Sequence, residues 1–326
     1  MKARVLVTGA NGLLATNVII ELLARNYLVR GVLRDRNKFC GNRHPDLELL
    51  QGDITDKEFL EIAVRDCDYL IHTAAITDQN LVRYSDYHQV NVSAVENLIQ
   101  ISIREHVKRF VFISSANVFG HGSKKKPGDE QIPARKPFTD SHYAMSKLRG
   151  QQIVLNHQDK IDVVVACPTL MLGPYDSAPS SGRIILIGYN KKILLCPPGG
   201  KNFLHVKDAA LGVVNALEKG KSGEIYLLAN ENLSYKEFFQ KLAATTAGSP
   251  VLVRIPGVTV LALGFFGYIF RQLGIKTSLS LVNMKILCTK GFYSGSKAQK
   301  ELGIEFRKTE EAIQDAVKWF KENKMI

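Results

Sequence analysis

The chain has few cysteines for its 326 residues. There are five, at positions 40, 67, 167, 196 and 288, an odd and scattered set without a Cys-x-x-Cys pair. That excludes a disulfide framework and a zinc site, and it fits reduced thiols in a cytoplasmic protein. No secretory leader pattern opens the sequence, since the first apolar run, Val5 to Val7, stops at Thr8-Gly9. There is no internal repeat and no low-complexity tract, which excludes solenoids and linker-rich chains. No apolar run reaches the roughly 20 residues that a membrane span needs. The most apolar segment, residues 255–270, holds three glycines between Arg254 and Arg271. It reads as a helix of a substrate lobe, with peripheral membrane contact as the alternative. Acidic residues are also short, 31 against 43 basic ones, for a net charge of +12. A basic chain favours anionic partners such as phosphorylated cofactors. The only tight basic run, Lys124 to Lys126, lacks interleaved aromatics and reads as a solvated loop, so nucleic acid is not an expected partner.

What is present is globular: 45% hydrophobic and 23% charged residues. Short β-branched runs at 3–8, 28–33, 47–52, 68–73, 109–114 and 162–167 alternate with helical patterns. The alternation predicts an α/β fold, a doubly wound parallel sheet of Rossmann type. Thr55 with Glu58 and Ser234 with Glu237 have the spacing of capping boxes. Residues 173–204 read as loop-rich. A helix at about 207–219 and a strand at 224–228 complete the sheet, and a last helix starts near Thr309. The domain expectation is a dinucleotide-binding domain of 1–169 and 205–230, with a smaller, mostly helical substrate lobe of 170–204 and 231–326.

The first strand runs into Thr8-Gly9-Ala10-Asn11-Gly12-Leu13-Leu14-Ala15 and then a helix. Gly9 suits a tight turn, and Gly12 lets the backbone approach a pyrophosphate at the helix N-terminus, among the N–H groups of Asn11, Leu13 and Leu14. The second strand ends Val32-Leu33-Arg34-Asp35, with Lys38 close behind. A guanidinium there can fork onto a ribose 2′-phosphate, which favours NADP(H). NAD(H) is the runner-up, with Asp35 as its ribose ligand. Asp53, followed by Ile54, is placed to accept from the adenine amino group or is an ordinary helix-preceding aspartate.

Tyr143 and Lys147 are spaced i and i+4, which puts them on one helix face. A phenol of pKa near 10 is a poor base at neutral pH, and a neighbouring ammonium should lower that value. Ser115, at the end of the fifth strand, is placed to polarise a carbonyl. No metal site is expected.

These residues resemble the extended short-chain dehydrogenase/reductase superfamily, also called the NAD-dependent epimerase/dehydratase family. The resemblance rests on Thr8-Gly9-Ala-Asn-Gly12, Gly52-Asp53-Ile54, His72-Thr73-Ala74-Ala75, Ser114-Ser115-Ala-Asn-Val-Phe-Gly120, Tyr143-x-x-x-Lys147, Cys167-Pro168 and Phe203-Leu-His-Val-Lys-Asp208. It implies that Ser115 rather than Ser114 is catalytic. It also implies that Thr73, Ala74 and Ala75 line the cofactor and that the segment from Pro168 borders the nicotinamide. Ala15 for a third glycine and Cys167 for a frequent arginine are departures. Within the superfamily the chain looks most like the dihydroflavonol reductase and 3-beta-hydroxysteroid dehydrogenase branch. The implied activity is an NADP(H)-dependent oxidoreductase acting on a ketone or secondary alcohol. The alternatives are a nucleotide-sugar epimerase or dehydratase, with Arg183, Lys191, Lys192 and Lys201 as candidate pyrophosphate ligands, and a dinucleotide-sensing regulator. The resemblance also implies a homodimer through helices at about 84–106 and 141–157. The apolar residues Val92, Val95, Ile99 and Ile103, off the main face of the first helix, suggest the same. Asn91 is read as ordering water or as an exposed or capping residue, His205 as packing, Cys167 and Cys196 as core, and Tyr84 and Tyr87 as spacers or substrate contacts.

Overall fold

The computed structural model describes residues 2–272, 277 and 279–326. The six β-branched runs become β1 (Arg4–Thr8), β2 (Leu28–Leu33), β3 (Leu47–Gln51), β4 (Tyr69–His72), β5 (Arg109–Ile113) and β6 (Asp162–Pro168). Between them lie α1 (Leu13–Ala24), α2 (Lys57–Val64), α3 (Ser85–His88), α4 (Ala94–Arg104) and α5 (His142–Leu155). The chain continues through β7 (Leu170–Leu172), α6 (Arg183–Gly188), β8 (Ile193–Cys196), β9 (Gly200–His205), α7 (Val206–Lys219) and β10 (Ile225–Leu228). Then come β11 (Glu231–Ser234), α8 (Tyr235–Thr245), β12 (Val251–Arg254), α9 (Gly257–Gln272), α10 (Leu281–Leu287), β13 (Lys290–Gly291), α11 (Ser296–Leu302) and α12 (Thr309–Glu322).

Seven strands form one parallel sheet in the order β10-β6-β5-β4-β1-β2-β3. Such strands are buried on both faces, which is why they read as continuous apolar runs. Helices α1 and α7 cover one face, and α2, α4 and α5 cover the other. The strand order reverses between β1 and β4, the point at which sheets of this kind form a ligand crevice beyond the strands' carboxyl ends. A second sheet joins β11, β9 and β13, with β7 on β9, and β8 pairs with β12. A third core lies there, where Phe203, Phe238 and Phe239 pack against Ala312, Ile313, Ala316 and Phe320 of α12.

Several local expectations need correction. The stretch 173–204 is loop-rich as read, but it also holds α6, β8 and most of β9. Pro197 to Gly199 turn the chain, but Phe203 and Leu204 on β9 are buried and anchor the second sheet. Thr55 does not cap α2. Its N–H and hydroxyl both donate to Asp53, while Asp56 accepts from Glu58 and Phe59 N–H. The Ser234–Glu237 capping box is present. The lobe range 231–326 is not uniform, because Ala298, Leu302 and Ile304 pack with α7 in the core of the main sheet.

The helix around 84–106 is α3 and α4 joined by a π-helical stretch, Gln89–Ser93. Val92, Val95 and Ile99 are all buried within the single chain. Helices α2 and α5 flank α4 and cover its second side. Ile103 is partly buried against the same core. Among the described residues no helix is long and apolar enough to cross a membrane.

Candidate active site

At the strand-order reversal, Gly9 takes φ +69°, and a Cβ there would lie 2.9 Å from Ala74 Cα. Only glycine lets the first turn pass so close to the chain leaving β4. Around it, Thr8 Oγ1 accepts from Ala74 N–H at 3.2 Å and pairs with His72 Nδ1 at 2.8 Å, and the Thr73 hydroxyl donates to the Thr8 carbonyl. Gly12 caps α1, with no side-chain cap and no acidic residue in the first turn. The N–H groups of that turn and the helix dipole face the crevice without a competing anion, which fits a dinucleotide pyrophosphate. Asn11 and Leu13 border it half-buried, and Leu14 is buried.

Strand β2 ends at Leu33, so Arg34 is the first residue beyond it, and it is exposed, as is Lys38. Asp35 is engaged elsewhere: its carboxylate accepts from Asn37 N–H at 3.0 Å. Asp53 keeps its carboxyl below the usual range, chiefly through Thr55's backbone N–H, with the Thr55 hydroxyl and the Arg34 charge adding to it. Arg34 and Asp53 thus lie at one end of the crevice, with buried Ile54 beside them.

At the other end, Ser115 follows β5. Its hydroxyl accepts from Asn117 N–H at 3.2 Å and acts as a hydrogen-bond partner of Tyr143. Ser114 faces the buried Cys167 thiol instead. Ser141 caps α5, which carries Tyr143 and Lys147 one turn apart. Gly150, nearly a turn further, admits α5 to its neighbours, for a Cβ there would sit 2.8 Å from the Asn91 carbonyl and 3.0 Å from the Phe112 ring. Buried Pro168 ends β6, paired with Leu228.

The electrostatics differ from the expectation in one respect. Burial raises the Tyr143 phenol above its ordinary value, and only the Ser115 hydrogen bond opposes it. Burial brings Lys147 down to about 7. Desolvation penalises each charged form, and the ammonium–phenol attraction on which the sequence argument rests is not among the causes of either shift. Lys147 Nζ lies 4.5 Å from the centroid of the Phe112 ring, a cation–π contact. His72, paired with Phe112 across β4 and β5, stacks on that ring at 5.9 Å. Burial, with Lys147 nearby, drops His72 to about 3 and keeps it neutral.

Sequence reasoning passed over the structural weight of three residues. Phe112 reads as one more strand residue, and His72 as part of a motif. Asn202 is buried and accepts from Thr169 Oγ1 and Asn230 N–H, each at 2.8 Å, tying β6 to the second sheet. Its place just before Phe203-Leu-His-Val is the one available signal. Asn91 is buried and joins the segment after β4 to α5. Its Oδ1 accepts from Ile76 N–H at 2.8 Å, and its Nδ2 donates to Ile76 O and Ser146 Oγ. Tyr87 is buried and donates to the Asp78 carbonyl, so it does not face a substrate. Tyr84 lies edge-on to His88 and His142. His205 caps α7 and reaches Asp315 at 3.3 Å.

The Gly-rich turn at a parallel sheet's reversal point, with Ser115, Tyr143 and Lys147 across the crevice, defines an extended short-chain dehydrogenase/reductase. The model of the NAD dependent epimerase/dehydratase family matches residues 5–229, and the chain belongs to that family. It is 26% identical over 321 residues to a putative dihydroflavonol 4-reductase of Synechocystis, covering 96% of this chain and 93% of that one. It is 30% identical to the human dTDP-D-glucose 4,6-dehydratase over 271 residues, 76% of each chain. Among solved structures, gox2253 superposes with TM-score 0.84 at 27% identity, covering 99% of both chains.

Proposed function

We propose that this protein is an NADP(H)-dependent carbonyl reductase, equally an alcohol dehydrogenase in reverse, acting on an apolar ketone or secondary alcohol. The observation that carries the reading is Ser115 acting on Tyr143 beside Lys147 on one helix face. A phenol raised by burial is protonated at neutral pH, which is the form that gives a proton to a ketone oxygen. Ser115 holds that oxygen, Tyr143 Oη donates the proton, and Lys147, while charged, stabilises the phenolate left behind. The bound dinucleotide supplies the hydride chemistry; Gly9, Asn11, Gly12, Leu13 and Leu14 would hold its pyrophosphate. Thr73, Ala74, Ala75 and Pro168 would line it, and Lys147 would hold its nicotinamide ribose. Arg34 and Lys38, exposed just past β2, support NADP(H) over NAD(H).

A nucleotide-sugar substrate has weaker support. Arg183, Lys191 and Lys192 are exposed. Lys201 is lowered to about 8 by burial and lies over the Phe138 ring. Among the described residues these four share no hydrogen-bond, ion-pair or ring partner. The test is a panel of ketones and aldehydes read by NADPH oxidation, beside titrations with NADPH and NADH. Turnover of apolar ketones with tighter NADPH binding is the expected result. A purified protein carrying non-exchanging NAD and inert towards the whole panel would contradict it.

A further inference from the structure

Helix α9 faces outward with the wrong chemistry for water. Val260, Gly264 and Gly267 form a narrow stripe that packs against Met284 and Leu279 at α10. Every other described position from 258 to 270 is exposed, including Phe265 at 54%, Phe266 at 56% and Val258 at 80%. No charged residue occurs from 255 to 270. The ribbon before it repeats the pattern. β8 and β12 pair with Val251 opposite Ile193 and Val253 opposite Leu195. Ile193 and Leu195 are about three-fifths exposed, at 62% and 60%, while Leu194 and Cys196 face the core. Lone exposed apolar residues are ordinary, but a helix and a ribbon exposed together mark a contact surface.

Charge says what the surface meets. From 238 to 300 the chain has eight lysines and arginines and no aspartate or glutamate; of the eight, Lys241 and Lys297 are paired with carboxylates from other segments. From 177 to 207 it has five and none, although Lys207 pairs with Asp315 and Lys201 lies over the Phe138 ring. Lys192 precedes β8, Arg254 ends β12, and Lys285 lies on α10; all are exposed, and among the described residues none is in an ion pair. A second copy would bring two such basic surfaces together, whereas an anionic lipid headgroup layer complements them. The sixteen residues of α9 rise about 24 Å, short of a bilayer's roughly 30 Å core, so the helix suits lying in the interface.

We propose that α9 and the β8–β12 ribbon dock this protein on an anionic phospholipid bilayer, with the phenylalanines in the acyl boundary and the basic residues on headgroups. The test is co-sedimentation of the full chain with vesicles of phosphatidylcholine, alone or mixed equally with phosphatidylglycerol. Binding should favour the anionic vesicles and fall with salt. Phe265→Asp with Phe266→Asp, and separately Arg254→Glu with Lys285→Glu, should each weaken partitioning at least about tenfold, since one surface cation contributes roughly fivefold. Melting curves like wild type would show that both variants fold. No partitioning onto either vesicle would overturn the proposal. So would variants that partition like wild type, or a dimer that Phe265→Asp with Phe266→Asp dissociates while wild type ignores lipid.

Discussion

Replacing Phe112 with leucine removes the ring under Lys147 while keeping an apolar side chain in β5. The ring centroid lies 4.5 Å from Nζ, and both residues are buried. A desolvated cation–π contact contributes about 0.5 to 2 kcal/mol to the charged form. At about 1.4 kcal/mol per pH unit, its loss lowers the pH at which Lys147 gives up its proton by about 0.4 to 1.5. Burial has already brought that pH to about 7, so the change falls in an accessible range. The sign follows from the ammonium's role: carbonyl reduction slows as pH rises and Lys147 becomes neutral. The basic limb of kcat/KM at saturating NADPH should therefore sit at lower pH in Phe112→Leu. Phe112→Tyr keeps a ring face and should restore the limb, which separates the electrostatic effect from lost packing. A Phe112→Leu limb that overlays wild type would refute the reasoning.

Gly9→Ala forces a side chain into a φ of +69° and against Ala74, so dinucleotide affinity should drop more than about tenfold in a fluorescence titration. Asn91→Leu strands the Ile76 N–H and carbonyl inside the protein, and urea unfolding should show a loss of about 2–5 kcal/mol; a loss under about 1 kcal/mol would mean that these bonds are replaced. Arg34→Glu puts a carboxylate where a 2′-phosphate would lie, and the ratio of NADPH to NADH dissociation constants should invert. Equal wild-type affinity for both cofactors would remove the premise.

Much of this architecture was legible because parallel strands carry their burial on both faces. Each of the six β-branched runs became a strand of the main sheet with ends within a residue. The Gly9 turn and the Tyr143–Lys147 spacing are equally local. What stayed hidden depends on tertiary neighbours. β9 follows Pro197-Pro198-Gly199, whose turn chemistry masks a six-residue strand paired with β7, β11 and β13. Val92, Val95 and Ile99, which look like a second apolar face, are buried in the chain's own core. The Tyr143 shift reverses the expected sign because spacing records which charges are near but not how much water is excluded.

The most direct test of the central claim is NADPH oxidation by wild type and Tyr143→Phe with the same reactive ketone, alongside NADPH binding to each. Loss of the phenolic hydroxyl removes the proton donor and leaves the ring. The account predicts unchanged NADPH affinity and a kcat reduced by at least about a hundredfold, roughly 2.7 kcal/mol of barrier. A variant that binds NADPH normally and keeps more than about a tenth of wild-type kcat would contradict it, because another group would then supply the proton.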